Sequence, residues 1–446
     1  MPPTFPIGHM GTDPETEAAV PQEVGDLLYL CGRALRSEPA LPSRICKMNL
    51  AGVHALAASQ NLSALSWYGM ESAIDEPSLP ANLAAFWRNE RDKAARRQML
   101  FETERDQILS WFEQNGIWYA LLKGAVLAQW YPHLGMREFS DNDLLFDTTR
   151  RADVARFFKR RGYVKNASDH ESTIVDTYIK KPIFNFEMHL RLFSPYSSQV
   201  LASHYDTIES KLVRKSDSPY ALQLPPEDFY VYLIAHAYKH FQSGGTGVRI
   251  LCDLIVFFDH EYAEMDWDYV DSELEALGLK PFEASLANLA SLVFDAEFDV
   301  LKLDRDDAKV LGALTSYGIY GTVDHQAELR VERTTQKGVS PTAYVLSRLF
   351  PDDDWWDAFF PFAARHRWAR APMLLFRSVR AAVHPARRKR FAAELKALAK
   401  TDATIATARR SSASRTADAL SYHLPGNAAF REVFTRETSS ENVRIT

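Results

Sequence analysis

The chain is 446 residues long, 46% apolar and 25% charged, with a formal net charge of −6. Those values are ordinary for a soluble globular protein of two or three domains. Cys31, Cys46 and Cys252 stand far apart with no CxxC pair, which argues against a zinc site or a disulfide framework and fits a reducing cytoplasm.

Residues 1–22 read as a disordered N-terminus. The first twenty are rich in Pro, Gly, Thr and Glu and lack the basic and apolar regions of a signal peptide. No stretch approaches the roughly 18 uninterrupted apolar residues of a spanning helix, so no membrane partner is expected. Residues 23–99 form a helical N-terminal region. Val24, Leu27, Leu28, Leu30, Cys31 and Leu35 recur at helical spacing over 23–37, and a second helix is expected over 49–59. After Pro77 and Pro80 a long helix runs over 81–115, and Asn115-Gly116 supplies its C-cap.

The pattern changes within residues 100–222. Residues 117–122 are a β-prone run that Lys123-Gly124 breaks. A short helix over 125–131 is stopped by Pro132. Residues 143–146 read as a second strand. A helix over 148–161, with Val154, Phe157 and Phe158 on one face, ends at Gly162. Residues 173–179 and 183–192 are a pair of strands around Lys181-Pro182. This order predicts an α+β fold, in which a small mixed β-sheet core is flanked by mainly α-helical N- and C-terminal regions. Residues 223–400 are a helical C-terminal domain that opens with helices over 227–241 and 248–260. Residues 401–446 are a partly ordered tail. Between 361 and 410 thirteen Lys/Arg stand against two Asp/Glu. Such a basic segment can meet nucleic acid, although a solvated helical face is its commoner meaning and no reading motif accompanies it.

Three stretches carry chemistry. In Ser140-Asp141-Asn142-Asp143-Leu144-Leu145-Phe146, strand alternation would point Asp141 and Asp143 the same way, about 6–7 Å apart at Cα. Asp-x-Asp is frequent in surface turns, but the Leu-Leu-Phe that follows places these carboxylates at the lip of a buried strand. Two carboxylates so placed can hold one or two Mg²⁺. In residues 183–192, Phe184, Phe186, Met188, Leu190 and Leu192 fall on one face, and Asn185, Glu187, His189 and Arg191 on the other. Taken alone this is an amphipathic strand with a solvated polar face. If that face lines the aspartates' cleft, Glu187 is the third carboxylate, as metal ligand or general base. In Leu121-Leu122-Lys123-Gly124, a glycine at a strand-to-helix turn lets backbone N–H groups approach a phosphate, with Lys123 beside it.

Together, Leu122-Lys123-Gly124, Tyr131-Pro132, Arg137-x-x-Ser140-Asp141-x-Asp143-Leu144-Leu145 and Glu187-x-His189 resemble a poorly characterised nucleotidyltransferase-like family of the polymerase-β-type superfamily. Ala235-His236-x-x-Lys239-His240 and Arg249-x-Leu251-x-Asp253-Leu254 resemble that family's helical part. The resemblance spans about residues 100–260. AbiE-type antiphage toxins are similar over the Lys-Gly and Arg-x-x-Ser-Asp-x-Asp stretches. The superfamily's usual Gly-Gly or Gly-Ser is here Gly124-Ala125, which leaves no serine hydroxyl at that position.

The resemblance implies that residues 100–222 are a nucleotidyltransferase core. It implies Mg²⁺, with room for two ions, an NTP as donor, and an acceptor hydroxyl on a small molecule, protein or RNA. Asp141, Asp143 and Glu187 are then both catalytic and metal-binding. Lys123, Gly124, Arg137, Ser140, His189, Lys239, His240 and Arg249 contact the nucleotide. His236 and His240, at i and i+4, have no Cys or third histidine spaced to join them in a zinc site. Arg249 and Asp253 share that spacing and can pair. Two alternatives stand beside an active enzyme: a degenerate member that binds nucleotide or a partner without chemistry, and an AbiE-like toxin that modifies tRNA.

Overall fold

The computed structural model describes residues 20–399, apart from 72–78, 139, 167–172, 196, 217, 243–244, 295–297, 317–326, 329–330, 332–338 and 384–387. The expectations for residues 1–19 and for the tail from 401 lie outside the described residues, as does part of the basic segment.

The N-terminal helices span Gln22–Leu35, Leu50–Ser59 and Ala81–Gln114, close to their sequence-predicted bounds. Asn49 caps the second by accepting the Gly52 N–H at 3.2 Å. Two further helices, Pro42–Ile45 and Ser63–Met70, were not expected. In Ser63–Met70 every residue but Tyr68 is buried, so no apolar stripe marks it in the sequence. It crosses Gln22–Leu35 so closely that a Cβ on Gly69 would sit 2.0 Å from the Leu30 carbonyl oxygen.

The sheet has seven strands: β1 Tyr119–Leu121, β2 Asn142–Phe146, β3 Val164–Lys165, β4 Val175–Lys180, β5 Phe184–His189, β6 Val213–Arg214 and β7 Ala221–Gln223. Their order is β3-β4-β5-β2-β1-β7-β6. The β2–β5 and β1–β7 pairs are parallel and the rest antiparallel, which is the mixed sheet of an α+β fold. β3, β6 and β7 were missed because two or three residues carry no readable period. The expected helix over 148–161 begins as a 3₁₀ turn, Thr148–Arg150, and continues as an α-helix, Arg151–Arg160.

The sheet separates two cores. On one face Leu144, Phe146, Tyr178, Phe186 and Met188 pack against Ile108 and Phe112 of the long helix and Val154 and Phe158 of Arg151–Arg160. Each such side chain contributes about 1.5–3 kcal/mol by leaving water. On the other face Ala120, Leu122 and Leu145 join a larger core with residues of Gln22–Leu35, Pro226–Gln242 and Arg249–Glu261. Strand alternation therefore sends the odd-numbered side chains of β2 and β5, Asp143, Glu187 and His189, towards the helical side. Further helices follow to residue 399, and no helix among the described residues is long and apolar enough to cross a membrane.

Candidate functional site

The parallel pairing of β2 with β5 sets Asp143 opposite Glu187 and Leu145 opposite His189. The donor atoms of Asp143, Glu187 and His189 all lie within 4.8 Å of one another. His189 Nε2 is 2.7 Å from Asp143 Oδ1 and 3.9 Å from Glu187 Oε2. Lys123 Nζ reaches the same Oδ1 at 2.8 Å.

The carboxyls are driven apart in acidity. Burial would raise Asp143, but Lys123 and His189 hold it well below the usual carboxylate range. Burial, then Asp143 and Asp141, push Glu187 up to about 7. Burial, then Asp143, also raise Asp141. One carboxylate kept ionised beside another near neutrality is an acid–base arrangement typical of catalytic sites. Burial pulls the Lys123 ammonium down, yet Asp143 holds it above its ordinary value. Burial outweighs Asp143 at His189 and keeps its imidazole neutral. The neutral ring donates from Nε2 to Asp143, and among the described residues its buried Nδ1 has no hydrogen-bond partner.

Lys123 reaches this place through an unusual backbone. It caps the short helix Gly124–Leu127 with φ +43° and ψ −112°, a conformation that costs a non-glycine residue about 1–3 kcal/mol. Its Nζ lies between Asp143 and His236 Nε2, the latter at 3.1 Å. His240 Nε2 also lies 3.1 Å from His236 Nε2. An ammonium can only donate, so His236 Nε2 is an acceptor and His236 is neutral. No carboxylate or cysteine joins the two histidines in a metal-holding group among the described residues.

A family model for an uncharacterised nucleotidyltransferase matches residues 48–295, more than half of the chain. The chain belongs to this family. No curated protein and no solved structure gives a match. The family match reaches past 100–260 at both ends and takes in the N-terminal helices from residue 48. Nucleotidyl transfer is supported at the level of this family.

Nucleotidyltransferases generally use a divalent metal, and the donor set here suits one. Asp143 and Glu187 bring carboxylate oxygens, and His189 brings a nitrogen at the same point. Asp141 is not part of that group among the described residues. β2 begins at Asn142, so strand alternation does not force Asp141 to point with Asp143.

The other sequence-predicted site residues fall into two sets. Lys239 and His240 lie on Pro226–Gln242, in electrostatic reach of Asp143. Burial and then Lys123 bring the Lys239 ammonium down to about 8, and burial with Lys239 brings His240 to about 3. Arg137, Gly124 and Arg249 form a second cluster, and the charges of Arg137 and Arg249 also reach Asp141. Arg137 donates from Nε and Nη2 to the two oxygens of Asp253 at 2.9 and 3.0 Å, and the Tyr131 hydroxyl donates to Asp253 Oδ1 at 2.7 Å. Asp253 thus pairs with Arg137 rather than with Arg249, whose Nη1 donates to the Glu138 carbonyl at 2.6 Å. A Cβ on Gly124 would lie 2.6 Å from Arg137 Nη1, so the missing side chain makes room for the guanidinium. Ser140 lines a pocket together with Arg137 and Glu138.

Tyr232 is a further residue of the site that motif reading passed over. It is buried, and burial raises its hydroxyl, with Lys123 opposing the rise and Asp143 and Glu187 adding to it. Tyr232, His236 and His240 recur every four residues on one helix, and that spacing was the available signal.

Proposed function

We propose that this protein moves a nucleoside monophosphate from an NTP to an acceptor hydroxyl and releases pyrophosphate. The observation that carries this reading is the convergence of Asp143, Glu187 and His189 on one face of the sheet, with Lys123 on Asp143. Asp143 and Glu187, with Asp141 at the start of the strand, would hold a divalent cation, for which Mg²⁺ suits an oxygen-rich set. A bound divalent cation supplies charge neutralisation at the phosphates.

The remaining work falls to the chain. The acceptor oxygen forms a bond to the α-phosphorus while the bond to the bridging oxygen of the β-phosphate breaks, and pyrophosphate leaves with that electron pair. The acceptor's proton passes to the Glu187 carboxylate, which stands opposite Asp143 on the neighbouring strand. Lys123 and Lys239 present positive charge to the triphosphate, and His189 orients Asp143.

One observation favours a second reading. The Lys123 ammonium sits on the carboxylate oxygen that a metal needs. A permanent pair there would describe a protein that binds nucleotide or a partner without chemistry. Pyrophosphate release from ATP, GTP, CTP and UTP, with Mg²⁺ or Mn²⁺, separates the two. Metal-dependent release that is lost in Asp143→Asn and Glu187→Gln supports the transferase. NTP binding with no release over a broad set of acceptors supports the second reading.

A further inference from the structure

A half-open pocket of about 260 Å³ lies beside the start of β2. Ala94, Arg97 and Gln98 of the long helix form one wall, and Arg137, Glu138 and Ser140 form another. Ser140 is joined directly to Asp141 and stands three residues before Asp143, so this wall adjoins the strand that carries the site.

The lining defines the chemistry of an occupant. Among the described residues the lining holds one small apolar side chain, Ala94, and is otherwise polar, which favours a polar occupant. Its volume falls just under the roughly 300–1,000 Å³ of pockets for drug-sized ligands, which suits a compound smaller than a nucleotide. Asn61 completes the lining, and at least three of its six polar side chains have partners within the protein. Arg137 is bound to Asp253, Glu138 accepts the Ala64 N–H at 3.0 Å, and Gln98 accepts the Gly135 N–H at 2.6 Å and donates to Glu102 at 2.9 Å.

Arg97 differs. Among the described residues no carboxylate lies within ion-pair distance of its guanidinium, although the Glu138 carboxyl of the same pocket feels its charge, and its buried Nε has no hydrogen-bond partner. The guanidinium lies over the Phe101 ring, 5.2 Å from the centroid, which leaves its N–H edge for an anion.

We propose that this pocket is the acceptor subsite, and that it takes a small hydroxy compound whose anionic group, a carboxylate or a phosphate, is bound by Arg97. The inference rests on the transferase reading above. In the reaction the compound's hydroxyl oxygen becomes esterified to the α-phosphorus of the NTP, its proton leaves through Glu187, and pyrophosphate departs. The product is a phosphodiester of the small acid or phosphate.

Glycerol, glycerate and glycerol 3-phosphate share a carbon skeleton and differ in anionic group, so they serve as probes. Their binding to the full chain, and that of an NTP with Mg²⁺, is measured by calorimetry for wild type, Arg97→Gln and Ala94→Leu. Ligand-free unfolding midpoints confirm that both variants fold. The expected result is that glycerate or glycerol 3-phosphate binds about tenfold or more tightly than glycerol. The preference disappears in Arg97→Gln, all three probes weaken in Ala94→Leu, where the pocket is filled, and NTP affinity stays the same in all three proteins. Whichever anion wins names the source of the charge. Equal or absent binding of all three probes to wild type overturns the proposal, as does an Arg97→Gln variant that loses NTP to the same extent. NTP binding without the anion preference sinks the subsite alone. The anion preference without any NTP binding sinks the transferase reading and, with it, the acceptor role.

Discussion

β2 and β5 face two environments at once. Of their even-numbered side chains, Leu144, Phe146, Phe186 and Met188 enter an apolar core with no exposure. Their odd-numbered side chains include Asp143 and His189, which are nearly as well buried, and the half-buried Glu187. The apolar face gains free energy from every group it buries. The polar face carries desolvation costs that raise Glu187 and Asp141 and keep His189 neutral, and a strained Lys123 is held beside it. The same strands thus bury one set of residues for stability and another against it. That is the signature of a face kept for chemistry.

The largest effect expected is on the polar face. Asp143→Asn should cut the rate of pyrophosphate release by about 10³-fold or more while the protein stays folded, as seen by its unfolding midpoint. Near-normal turnover would remove Asp143 from the reaction. On the apolar face, Phe186→Ala should cost about 3–5 kcal/mol in urea unfolding, with turnover per folded molecule preserved. A loss below about 1 kcal/mol would mean that this core is not what holds β5.

Glu187→Gln sharpens the contrast, because burial and Asp143 already disfavour its charged form. Metal-free Glu187→Gln should match or exceed wild-type stability in the same urea titration, yet release pyrophosphate slowly. Destabilisation like that of Phe186→Ala would erase the difference between the faces. The smallest effect lies at the edge of the apolar face. Glu104 binds Arg161 at 2.9 and 2.8 Å and the Tyr163 hydroxyl at 2.9 Å. Burial opposes its ionisation, but Arg161 and Tyr163 prevail and lower the carboxyl. Its ionised form therefore stabilises the fold above the usual carboxylate range, and that contribution fades as pH falls through the depressed folded value. The stability gap between wild type and Glu104→Gln should be present at neutral pH and shrink below about pH 4. A gap that is constant with pH would assign the loss to packing.

The α+β class, the long helix and the strands around Lys181-Pro182 were legible because each extends over enough residues to show a period. Ser63–Met70 was not, since a helix buried on nearly all sides has no stripe. In the site, the sharing of one face by Glu187 and His189 follows from alternation within one strand. The register that puts Asp143 opposite Glu187 does not, because it is set by pairing between strands distant in sequence. Arg137 has a motif spacing that suggests phosphate, whereas the fold brings it Asp253 from a helix more than a hundred residues away. The twist at Lys123 left no local signal either, because the sequence places a glycine one residue after the position with positive φ.

The central claim is that the face carrying Asp143 and Glu187 binds an NTP. Its most direct test is thermal unfolding of the full chain with Mg²⁺ and each of ATP, GTP, CTP and UTP, beside Asp143→Asn. A ligand that binds only the native state raises the midpoint by mass action. The account predicts a rise with at least one nucleotide in wild type and none in Asp143→Asn. No rise with any nucleotide, or the same rise in both proteins, would contradict it.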